Sequence, residues 1–85
     1  MYFIKFTPRG QRDLKKLNPH LKKRIAKKLD DYSKRKNPFE PARPLINLPP
    51  ATHRYRVGKY RIYFFIKRKI IYIERIEIRG KAYRR

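Results

Sequence analysis

The sequence has no cysteine, which removes disulfides, thiolate metal sites and cysteine nucleophiles together. Acid is almost as scarce: six Asp and Glu stand against 26 Lys and Arg, a formal net charge of +20. Long apolar runs are missing as well. None approaches the roughly 20 residues a spanning helix needs, and the start carries no signal-peptide core, so a cytoplasmic chain with no membrane contact is expected. The glycines are Gly10, Gly58 and Gly80, and they form no phosphate-cradling loop. The histidines, His20 and His53, lie far apart without further ligand-like neighbours, so neither a metal site nor a cofactor is expected.

What is present argues for a folded object. Hydrophobic residues make up 40% of the chain, with seven Tyr and five Phe, too many for a disordered basic tail. With 85 residues there is room for one domain, spanning 1–85, and one modest core. A charge of +20 repels itself and destabilises a compact monomer, which points to a counter-charged partner. Nucleic acid is the usual one; an acidic protein or an anionic membrane is the alternative, the membrane being the weaker for want of an apolar run.

Periodicity sets out the elements. Tyr2, Ile4 and Phe6 share one face of an extended segment, predicting a strand over Tyr2–Phe6. Thr7-Pro8 is an N-cap followed by proline at the first helical position, opening a helix from Pro8 to about Leu17 with Leu14 and Leu17 inward. Asn18-Pro19 repeats the signal. A second helix is expected over Pro19–Arg35, with Leu21, Ile25, Leu29 and Tyr32 as its apolar stripe and Lys22, Lys23, Lys27, Lys28 and Lys34 on solvated faces. The stretch Asn37–Ala51 carries Pro38, Pro41, Pro44, Pro49 and Pro50 and reads as a connector, tucked onto the core by Leu45 and Leu48. Alternation then predicts strands over His53–Val57, Tyr60–Ile66 and Ile70–Arg79, with turns at Gly58-Lys59 and Lys67-Arg68-Lys69. The order is strand, helix, helix, then a three-stranded antiparallel meander. This is an α+β fold with the two N-terminal helices packed on one face of the sheet.

Within the meander the charges are patterned. Arg54 and Arg56 share a face of one strand, Arg61 opens the next and Arg79 closes the last. If the strands pair in order, these arginines converge on one side. Planar guanidinium groups hold phosphate bidentately and stay charged, so such a set suits gripping a phosphodiester and stabilising its pentavalent state. The carboxylates form no acid–base pair at active-site spacing. Asp30-Asp31 falls on the surface of the second helix, offsetting lysines, and Glu74 and Glu77 balance Arg75 and its strand neighbours.

Over essentially its whole length the chain resembles the RelE/ParE superfamily of toxins from toxin–antitoxin modules. The resemblance lies in Tyr2-Phe3-Ile4-Lys5-Phe6-Thr7-Pro8, in Asp13-Leu14-Lys15-Lys16-Leu17 and in Pro44-Leu45. It continues in His53-Arg54-Tyr55-Arg56-Val57-Gly58-Lys59-Tyr60-Arg61-Ile62, and in the ending Ile78-Arg79-Gly80-Lys81-Ala82-Tyr83-Arg84. It implies a RelE-type mRNA interferase that cleaves messenger RNA in the ribosomal A site, the ribose 2′-hydroxyl attacking the adjacent phosphate. Its partners would be mRNA, the ribosome with its ribosomal RNA, and an acidic RelB-like antitoxin. By position, Arg56, Arg61, Arg79 and Tyr83 would be the catalytic residues, with Arg54, Lys59, Lys81 and Arg84 on the RNA. Several members carry a histidine before the terminal arginine, where this chain has Ile78, and His53 is no substitute for it. That departure argues against histidine-based general acid–base catalysis and leaves an arginine–tyrosine mechanism intact. Two other readings stand beside it: a ParE-type inhibitor of DNA gyrase, and a non-catalytic basic RNA-binding module using Tyr63 and Phe65 as stacking platforms.

Overall fold

The computed structural model describes residues 1–78. The first strand, β1 (Phe3–Phe6), leads into α1 (Pro8–Lys15) and α2 (Pro19–Ser33). A short β2 (Arg43–Pro44) follows, then β3 (His53–Val57), β4 (Tyr60–Lys67) and β5 (Ile70–Ile78). The expected meander is present as β3–β4–β5, antiparallel throughout. It forms the centre of a larger mixed sheet of order β1-β5-β4-β3-β2, in which β1 runs parallel to β5 and β2 antiparallel to β3.

Both helices begin where the cap signals place them. Thr7 Oγ1 accepts a hydrogen bond from Gly10 N at 3.1 Å, and Asn18 Oδ1 accepts one from Leu21 N at 2.9 Å. Both end two residues earlier than the apolar spacing predicts. The first stops at Lys15 because Asn18 must stand extended, at φ −71 and ψ 161, to cap the next helix and precede Pro19. The second closes with tightened bonds from Lys34 N to Asp31 O and from Arg35 N to Tyr32 O.

Three of the four residues of the α2 stripe land where periodicity puts them, while Leu21 is only half-buried and stays outside the core. Ile25, Leu29 and Tyr32 are buried against Tyr55, Val57, Ile62, Phe64, Ile71, Ile73 and Ile76, all on one face of the sheet. Each large side chain so buried contributes about 1.5–3 kcal/mol. Tyr32 stacks on Tyr55 at 4.3 Å and Tyr55 on Phe64 at 4.2 Å. Leu14 and Leu17 pack against the margin of this core, and Asp30 pairs with Lys34 across one helical turn at 3.0 Å.

The connector departs from expectation. Leu48 does not tuck inward and is 43% exposed; Pro38 and Ala51 are buried in its place. The physical reason is a polar anchor: the Tyr55 hydroxyl donates to Pro38 O at 2.8 Å, drawing that end of the connector into the core. The far end is held by Leu45 N bonding Thr52 O, at 2.9 Å.

A β-bulge fixes the placement of α1. Tyr63 pairs with Arg75 and Phe64 with Ile73, so Glu74 is inserted between them. Beside this irregularity Thr7 N donates to Ile73 O at 3.0 Å, and Asp13 Oδ2 accepts from Ile76 N at 2.9 Å. Gly10 lies so near that a Cβ there would stand 2.1 Å from Ile73 O, which is why this helix position carries no side chain.

Candidate anion-binding site on the open sheet face

Residues directly opposite in an antiparallel pair project to the same face. Arg56 pairs with Arg61, Arg61 with Glu77, Arg54 with Tyr63, and Tyr63 with Arg75. Arg43 of β2 pairs with Arg54. Because Tyr55, Val57, Ile62 and Ile76 take the helix side, these arginines lie on the opposite face, against which neither described helix packs. Arg54, Arg56 and Arg61 are therefore brought together as the sequence pattern expects.

Their surroundings differ. Arg56 is exposed, Arg54 half-buried, and Arg61 only 6% exposed at the middle of the sheet. A cavity of about 210 Å³ is lined by Pro41, Arg43, Arg54 and Arg56. Three guanidinium groups around one small polar hollow are chemically suited to an anion with several oxygens, such as a phosphodiester. Arg61 lies one strand further in.

Two members were not found by sequence reasoning. Arg43 sits in the proline-rich connector, where nothing in the local pattern announces that it pairs with β3. Glu77 was read as balancing Arg75, and it does. It receives a hydrogen bond from the Arg75 guanidinium and another from the Tyr63 hydroxyl at 3.1 Å, while the same guanidinium lies 5.8 Å from the centre of the Tyr63 ring. Its register opposite Arg61 also sets a carboxylate inside the arginine face. That position becomes visible only once the bulge at Glu74 is known.

Tyr63 is 5% exposed, its hydroxyl bonded and its ring beside Arg75, so it is not a free stacking platform. Phe65 is half-buried and stacks on Tyr72 at 5.0 Å. His53 stays out of the cluster. It projects toward the core side, 4.4 Å from the ring of Phe39, with Nδ1 2.9 Å from Thr52 Oγ1, and burial lowers its pKa. Lys59 is exposed in the β3–β4 turn. There Gly58 has φ +59, and a Cβ on it would come 3.1 Å from the Arg24 guanidinium of α2. Arg79, Lys81, Tyr83 and Arg84 lie outside the described residues. Among the described residues no three His, Asp or Glu gather as metal ligands, and no helix is long and apolar enough to cross a membrane.

The family model for the ParE toxin of type II toxin–antitoxin systems matches residues 4–83, nearly the whole chain. The chain belongs to the RelE/ParE superfamily of toxins. Among solved structures this toxin is similar to a chain of the toxin–antitoxin complex RelBE2 from Mycobacterium tuberculosis. The two are 28% identical over 93% of this chain and 92% of that one, with a TM-score of 0.78. The archaeal RelE–RelB complex from Pyrococcus horikoshii matches at 23% identity, covering 95% and 98%, with a TM-score of 0.73. The isolated RelE toxin of E. coli matches at 17% identity, covering 92% and 84%, with a TM-score of 0.72. At such identities the last two establish the fold, two helices packed against a five-stranded mixed sheet. No curated protein sequence matches.

Proposed function

We propose that this toxin is a ribosome-dependent endoribonuclease acting in the cytoplasm on messenger RNA in the A site. The observation that carries the reading is the convergence of Arg54, Arg56 and Arg61, joined by Arg43, on the sheet face away from the helices. In the proposed reaction the ribose 2′-oxygen gives its proton to solvent water as it bonds to the adjacent phosphorus, and the solvent later returns a proton to Tyr83. The bond to the 5′-oxygen breaks, leaving a 2′,3′-cyclic phosphate and a 5′-hydroxyl. Arg56 supplies charge stabilisation from the exposed side, Arg61 from within the sheet, and Arg79 joins them as the phosphorane forms. Tyr83 protonates the departing 5′-oxygen, aided by cations that ease the release of its phenolic proton. Arginine is never readily neutral, so no arginine serves as the base. Positioning of the 2′-hydroxyl by the ribosome supplies much of the rate. Lys59, Lys81, Arg84 and Arg54 hold the flanking strand. The +20 charge and the RelB–RelE complexes among the similar structures support an acidic, RelB-like antitoxin as the protein partner.

A second reading, inhibition of DNA gyrase, is favoured by the ParE name of the matching family model. Mapping message 5′ ends after incubation with translating ribosomes separates the two. The ribonuclease reading expects discrete cuts that fall about 10²–10³-fold in Arg56→Ala and are lost in Tyr83→Phe. Intact message together with blocked supercoiling transfers the function to gyrase.

A further inference from the structure

Beyond the arginines the open face changes character. Continuing along β4 and β5, the positions that project to this side are Phe65 and Lys67, then Tyr72 and Ile70, with Lys5 and Phe3 on β1. Register makes them one continuous patch: Phe65 faces Tyr72, Tyr72 faces Lys5, Lys67 faces Ile70, and Ile70 faces Phe3. The rings of Phe65 and Tyr72 stack at 5.0 Å and 17°. Both keep partial exposure, and Phe3 is 62% exposed. Among the described residues both helices pack on the other side, so the core they close does not account for aromatic side chains here.

Charge says what this patch fits. Lys5 and Lys67 are exposed at its flanks, and none of its six positions is acidic. Of the two carboxylates further along β5, Glu77 is engaged by Arg75 and Tyr63, and Glu74 sits half-buried in the bulge two residues past Tyr72. Flat rings bordered by ammonium groups are complementary to unstacked bases on a charged backbone. The patch also continues directly from the arginines: Phe65 follows Arg61 by four residues on the same strand, about 13 Å at the usual rise. A few nucleotides of extended strand cover that distance.

We propose that Phe65 and Tyr72, with Phe3 at the edge and Lys5 and Lys67 at the flanks, form a stacking track for single-stranded RNA. It holds the bases that flank the phosphate bound by the arginines. The proposal rests on the endoribonuclease reading for the role of that strand, but the track binds RNA whether or not cleavage follows.

The test uses the full chain and two fluorescent RNA hexamers of equal length and charge, one carrying uracil at every position and one abasic. Wild-type toxin is expected to bind the base-bearing strand at least tenfold more tightly. The double variant Phe65→Leu/Tyr72→Leu, which keeps the patch apolar, is expected to erase that preference and leave abasic affinity unchanged. Equal binding of both strands by wild-type toxin overturns the track and leaves the face to a protein partner. A preference that survives the double variant overturns it too. Should that variant fail to fold by circular dichroism, Phe3→Ala at the exposed edge takes its place, with a smaller loss of the same preference expected and an unchanged preference overturning the track. Ribosomal cleavage is scored separately. Its absence in wild type sinks the ribonuclease reading, while the base preference alone decides the track.

Discussion

Gly10 and Asp13 do at the residue level what holds α1 to the sheet. A methyl group at position 10 has nowhere to go, since the carbonyl it meets belongs to the backbone of β5. Gly10→Ala is expected to cost about 2 kcal/mol or more, read as a lower urea midpoint with unchanged slope. Asp13→Ala strips the acceptor from Ile76 N and should cost about 1–3 kcal/mol, whereas a surface change such as Lys23→Ala should be nearly neutral. His53 gives the stability a pH dependence. Burial lowers its pKa, so the folded state resists a proton that the unfolded chain accepts near 6.5. Its contribution is present above that value and is lost as pH falls toward the folded one. Urea midpoints at pH 7.5 and pH 5 should therefore diverge less in His53→Gln than in wild type. At the alkaline end, burial and the neighbouring Tyr32 push the Tyr55 phenol up, so stability should also decline above about pH 10, the ordinary tyrosine range.

Among the elements, β5 carries the most consequence, because it contributes to core, helix docking and arginine face at once. Glu77→Gln removes the acidic charge from the arginine face at almost constant shape. Stability should drop by about 1 kcal/mol as the Arg75 pair is lost, while affinity for RNA rises, measurable on the same oligonucleotides. The elements were legible wherever a local rule governs them. Period-two alternation gives β3 and β4, and Thr7-Pro8 and Asn18-Pro19 give both helix starts. Legibility fails where distant partners decide. Arg43–Pro44 becomes a strand only because β3 offers an edge to it, and Leu48 yields its inward place because the Tyr55 hydroxyl claims Pro38 O. The site divides the same way. Arg54, Arg56 and Arg61 follow from alternation, whereas Arg43 and Glu77 depend on a pairing and a bulge that no short window contains.

For the molecule as a whole, charge governs association. If Arg43, Arg54, Arg56, Lys59, Lys5 and Lys67 each displace a counterion from single-stranded RNA, these six alone should contribute about −4 to the slope of log affinity against log salt. Lys23→Gln and Lys27→Gln, on the solvated side of α2, should leave that slope unchanged for a short oligonucleotide. The parallel pairing of β1 with β5 adds a constraint in time. Phe3 N bonds to Lys69 O and Phe3 pairs with Ile70, so β1 has no partner until β5 has been synthesised. Closing so long a loop is slow and leaves nothing to gain from a partial chain. A fragment of residues 1–69 should show no cooperative unfolding transition. A chain halted before β5 therefore leaves β1 without its parallel partner and β4 with an unpaired edge, and it lacks Ile71, Ile73 and Ile76, the part of the core that backs the arginine strands.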